Sequence, residues 1–187
     1  MGVFIYMNEN VKEALHYKKI YENDNVFYKE KIKKKLIGDP YIIHFLNNTS
    51  LDEENPDDYF NVNILPYYLI PDTQTDVMNY ICYESNFTEI NNYNSILKQG
   101  QIIFYIFCDE KTIIDKETGI PRHDLLAALI TNSFAWSNDF GVQLRLVSDR
   151  PYSMDNRYVM RTLIFEHNST NSISRKGIVD NYARGKT

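Results

Sequence analysis

Apolar and polar positions are most regularly ordered in the last third of the chain, from Gln101 to His167, where the pattern predicts strand, helix, strand, strand. Ile102–Cys108 is an uninterrupted apolar run of strand length. Pro121 then opens an amphipathic helix from Arg122. Leu125, Leu126, Leu129, Ile130, Ser133 and Phe134 form one stripe of that helix, and the small residues Ala127, Ala128 and Thr131 lie opposite, where another surface can approach. Gly141 closes the following loop, and Val142–Asp149 alternates as a half-buried strand. Ser148–Met154, with Pro151, reads as a turn, and Tyr158–His167 as the last strand. Trp136, the single tryptophan, belongs to the core by default.

Further upstream the pattern is less regular. Asn25 stands where a cap would start a helix with Val26, Phe27, Ile32, Leu36 and Ile37 along one face. Lys29, Lys31, Lys33, Lys34 and Lys35 surround it and read as a solvated face. Gly38 ends this helix. Asp39 and Pro40 start another, as N-cap and first-turn proline, with Ile42, Ile43, Phe45 and Leu46 apolar around His44. Asn47–Asn61 reads as a mobile acidic loop whose carboxylates (Asp52, Glu53, Glu54, Asp57, Asp58) lack the spacing of a calcium loop. Val62–Ile70, broken by Pro66 and closed by Pro71, suits a sheet edge. Asp76–Glu84 is apolar on both faces, predicting cover on each and antiparallel pairing with Ile102–Cys108 across a turn at Asn91–Asn94.

These elements predict an α+β fold, a mostly antiparallel sheet with helices packed on it. The organisation is a possible N-terminal arm over 1–25, one domain over 26–167 and a polar, net basic tail over 168–187. Length and composition agree: 187 residues with 43% hydrophobic content fill one core. The net charge of −5 disfavours non-specific nucleic-acid binding. Cys82 and Cys108 lie in apolar runs and are expected to be buried thiols in a reducing compartment. No stretch has the length of a membrane span, and Met1–Met7 lacks the basic leader of a signal peptide, so the chain is expected to stay inside the cell that makes it.

Catalytic, cofactor and metal patterns are missing. His16, His44, His123 and His167 are far apart, and the seven glycines make no phosphate-binding loop. Asp72, Asp76 and Glu84 echo a metal-dependent nuclease, but Ser85-Asn86 follows where a carboxylate-x-Lys motif would place its lysine.

The order helix, helix, antiparallel strands, helix, strand, strand resembles the tail-terminator (tail-completion) proteins of long-tailed bacteriophages. The resemblance is carried by Pro121–Glu166: the helix Arg122–Ile130 and the strand runs Phe140–Asp149 and Tyr158–Glu166, with a looser echo at Pro66–Asp72. It implies a non-enzymatic virion protein of the neck, assembled in the host cytoplasm. Such a protein forms a ring, usually a hexamer, that caps the tail tube and meets the head–tail connector, with no cofactor, metal or membrane. Genomic DNA would pass through without specific binding, which an acidic balance suits. On this reading Asp109, Glu110, Asp115 and Glu117 are expected at the lumen or the tube contact. Related neck proteins share the fold, so a head-completion or adaptor ring is the alternative. A small nuclease using Asp72, Asp76 and Glu84, or a regulatory module binding through Lys29–Lys35, would be a protein of another class.

Overall fold

Helix α1 (Asn25–Ile37) forms over the expected span, but its inward stripe is Tyr28, Ile32 and Leu36, at i, i+4 and i+8. Val26 is turned outward, and Phe27 and Ile37 are only partly buried. The Asn25 carboxamide accepts a hydrogen bond from the Ser85 hydroxyl at 3.1 Å, tying the start of the helix to the sheet. These features come from a computed structural model that describes residues 25–69, 78–90, 97–153 and 157–170. The expected N-terminal arm, most of the tail, the turn at Asn91–Asn94, His16, Asp72 and Asp76 lie outside the described residues.

Helix α2 (Pro40–Leu46) starts as expected: the Asp39 carboxylate accepts from the N–H groups of Tyr41 at 3.0 Å and Ile42 at 3.4 Å. Ile42, Ile43 and Leu46 point into the core. The acidic segment that follows is a series of hydrogen-bonded turns ending in a 3₁₀ helix, Pro56–Tyr59, and Tyr59 is fully buried. The Asp52 carboxylate ties this turn together by accepting from Glu54 N–H and the Asn55 amide. The expected mobile loop is thus an anchored turn that leaves its other carboxylates outside.

Strands β1 (Ile64–Leu65), β2 (Tyr80–Ile90), β3 (Leu97–Asp109), β4 (Val142–Ser153) and β5 (Tyr158–Thr170) form one sheet in the order β1-β2-β3-β5-β4. Only the β1–β2 pairing is parallel. β2 and β3 pair antiparallel as expected, with Cys82 opposite Tyr105. β5 continues past His167 to Thr170. β4 also outruns its expected end: the segment read as a turn at Pro151 is strand, with Pro151 opposite Arg161. Proline fits there because β4 is an outer strand and one of its N–H groups can be lost without breaking a ladder.

Helix α3 (Arg122–Phe134) lies across β3 and β5, while α1 crosses β2. An aromatic cluster joins the layers. The Phe104 ring meets Phe134 edge-on at 4.9 Å and Phe165 at 5.8 Å, and Tyr28 meets Phe140 at 5.5 Å. Each fully buried ring of this kind contributes roughly 2–3 kcal/mol by removal from water. On the opposite face Leu65, Tyr80, Cys82, Phe107 and Tyr158 form a smaller apolar cluster, with Tyr68 edge-on to Tyr105 at 4.6 Å. β2 is therefore covered on both faces, as its sequence requires.

A buried amide chain closes the β1 side. Asn48 donates to Asn63 at 2.7 Å, Asn63 to the Asn79 carbonyl at 2.8 Å, and Asn79 to the Leu46 carbonyl at 3.1 Å. Nothing in periodicity distinguishes these three from the chain's many surface asparagines.

Candidate functional site

The four acids expected at the lumen or the tube contact, in the charged loop Asp109–Glu117, separate into two pairs. Asp109 is fully buried at the end of β3; its carboxylate accepts from Lys111 N–H at 2.9 Å and forms an ion pair with Arg157 just before β5. Arg157 holds a left-handed backbone (φ +68°), and its carbonyl accepts from Glu110 N–H at 2.9 Å. Asp115 is also buried, 2.9 Å from the Arg122 guanidinium. Hydrogen bonds from the Thr118 N–H and hydroxyl, with Arg122 adding, hold its carboxyl below the usual carboxylate range. Arg122 further donates to the Thr112 carbonyl at 3.0 Å. Asp109 and Asp115 therefore staple the loop to β5 and α3. Glu110 and Glu117 alone point outward.

Helix α3 carries a second charged group that its sequence did not signal. The Arg161 guanidinium on β5 grips Asp149 with two bonds, of 2.6 and 2.8 Å, and reaches Asp124 with a third. His123 Nε2 lies 3.3 Å from the same Asp124 carboxylate, and burial, with Arg161, lowers the His123 pKa. A His–Asp pair can serve acid–base chemistry, but here Asp124 is engaged by Arg161. The group clamps α3 to β5 and the outer strand β4.

The thiols are poor nucleophiles: burial pushes Cys82 up to about 11 and raises Cys108 as well. Glu84, the one described member of the nuclease trio, is half-buried and accepts from the Tyr105 hydroxyl at 3.4 Å. Among the described residues, no three His, Cys, Asp or Glu side chains cluster as a metal site would require. His44 is partly exposed beside Glu53, at 3.2 Å.

The lysines of α1, expected as a solvated face, mostly reach back into the molecule. Lys29 donates to the Pro66 carbonyl at 2.6 Å, Lys31 to Asp139 O at 2.5 Å, and Lys35 to Ser133 O at 3.0 Å while pairing with the Asp139 carboxylate at 2.7 Å. Lys33 sits 4.1 Å over the Phe60 ring. Of these five lysines only Lys34 is exposed. A long aliphatic stem lets each lysine lie along the protein and place its charge on a carbonyl or ring.

Trp136 overturns its assignment to the core. It is 67% exposed, with a left-handed backbone (φ +63°) just beyond the end of α3. Its N–H donates to the Leu144 carbonyl at 2.7 Å, a bond that fixes the chain reversal into β4 and leaves the indole outside while Phe134 takes the core position. The small-residue face of α3 is also rearranged. Ala127 is buried, and of the three small residues only Ala128 is exposed.

Outer strand β4 continues the Trp136 surface. Val142 is 64% exposed, Val147 and Tyr152 also face solvent, and Arg145 and Arg150 stand among them. Half-polar alternation could have marked these residues as outward, but it could not have shown that β4 lies at the sheet's rim.

No helix among the described residues is long and apolar enough to cross a membrane. No curated protein matches the chain. The model of the YomW family, a phage-derived family known from a Bacillus prophage, matches residues 8–167, and the chain belongs to that family.

Proposed function

We propose that this phage-family protein is a structural, non-enzymatic component of the virion neck: a ring-forming tail terminator that caps the tail tube and joins it to the head connector. The observation that carries the reading is the unit α3–β4–β5, in which the helix lies across β5 and its antiparallel neighbour β3 and the strand leading out of it is the rim of the sheet. This is the part of the chain whose sequence resembles tail terminators. The phage origin of the family supports the setting.

A ring also needs two different surfaces on each subunit, and this chain exposes apolar side chains at both edges of its sheet. Its partners on this reading are further copies of itself, the tail-tube protein and the connector, with genomic DNA passing through unbound. Only Glu110 and Glu117 remain available from the acidic loop to meet the lumen or the tube.

Electron microscopy of a lysate from phage lacking this gene tests the proposal. Overlong or irregular tails beside DNA-filled, tailless heads are expected. Normal-length free tails with emptied heads would move the protein to the head side of the neck, and intact virions would overturn both placements.

A further inference from the structure

The two rims of the sheet differ in charge but share an apolar character. At one rim, β4 and the turn after α3 present Trp136, Val142 and Val147 with the cations Arg145 and Arg150. Asp149 on the same strand is already held by Arg161, and among the described residues neither Arg145 nor Arg150 makes an ion pair. Two register shifts and Pro151 interrupt the β4 ladder, which blunts this rim against simple addition of another strand. What it offers is side chains, and tryptophan and arginine are the residues that most often dominate protein contacts.

At the other rim, β1 is only two residues long and is preceded by the anchored acidic turn. Glu54, Asp57 and Asp58 are exposed there. Val62 and Tyr67, on either side of β1, are exposed as well, Tyr67 by 49%. The sheet order places β1 and β4 at opposite ends, so one copy cannot bring its own two rims together.

We infer that the β4 rim of one copy binds the β1 rim of the next: Arg145 and Arg150 meet the acidic turn, and Trp136 and Val142 pack on Val62 and Tyr67. This deepens the ring-forming reading above and rests on it. The contact is head-to-tail, and such a contact closes into a ring when the rotation it repeats brings the last copy back to the first. Charge complementarity of this kind selects the partner and its register and speeds encounter, while the apolar centre supplies most of the affinity.

Sedimentation of the purified full chain over a concentration series, at low and high salt, tests the contact. The wild type should self-associate, more weakly at high salt. Arg145→Glu/Arg150→Glu and, separately, Glu54→Lys/Asp57→Lys/Asp58→Lys should each weaken association roughly ten-fold or more, a loss of about 1.4 kcal/mol per ten-fold. Each variant's circular dichroism should match the wild type, since none of these side chains is buried. Mixing the two variants should restore association, because each retains the rim that the other needs. Wild-type association that neither variant changes would overturn this contact and leave the ring reading in place. A wild type and a mixture that both remain monomeric would overturn the contact as well. In either case the tail phenotype of the gene-deleted phage separately decides the neck assignment.

Discussion

The charged loop Asp109–Glu117 and the surface from Trp136 along β4 invert each other's sequence character. The loop is rich in charge, yet it turns two carboxylates inward to close ion pairs with Arg157 and Arg122. The Trp136 surface carries the chain's only tryptophan and exposed valines, yet it faces out. Residue type alone would have made the first the site and the second the core. A charge is buried where a partner and hydrogen bonds replace its water, and a large apolar side chain is left outside where the backbone has no inward direction to offer it.

Removing a staple should have the largest effect on this contrast. Asp109→Ala takes a fully buried carboxylate away from the Arg157 guanidinium and the Lys111 N–H and should cost about 3 kcal/mol in a urea titration. Glu110→Gln and Glu117→Gln, in the same loop but outside, should stay within about 0.5 kcal/mol of wild type. Equal effects from all three would mean that the inward and outward acids are not distinct.

Acid should act next. His167 is buried against the Tyr28 ring at 5.2 Å, and among the described residues neither of its ring nitrogens has a hydrogen-bond partner. Gly100 faces it across the β3–β5 pair, where a Cβ would overlap the imidazole. Burial first, and Lys98 second, push its pKa down to about 4. The unfolded chain, with an ordinary histidine pKa near 6.5, therefore binds more protons between those values, and stability falls as pH drops from about 6.5 toward 4. The lowered pKa of His123 acts in the same direction. His167→Gln should flatten part of this slope in melting temperature against pH, and an unchanged slope would mean that other groups carry it.

A small effect on stability is expected at Trp136. Trp136→Gly relieves a left-handed φ and gives up little buried area, so stability should remain within about 1 kcal/mol of wild type. Self-association should nevertheless weaken, which separates a docking side chain from a structural one. Collapse of the fold in this variant would return Trp136 to the core.

What the chain determined by itself is the set of elements held by local chemistry and unambiguous period. The Asp39-Pro40 start of α2, the span of α3, the apolar β3 and its antiparallel pairing with β2 all follow from capping, helical spacing and strand alternation, which act over a few residues. The tertiary structure decided the rest, because it depends on partners far away in sequence. Pro151 stands in a strand because β4 is outermost, Asp109 turns inward because Arg157 waits 48 residues on, and the α1 lysines find carbonyls up to 108 residues away. Trp136 faces solvent because a backbone bond to Leu144 sets the direction of the chain there. Periodicity tells which residues share a face, but only packing tells what that face meets.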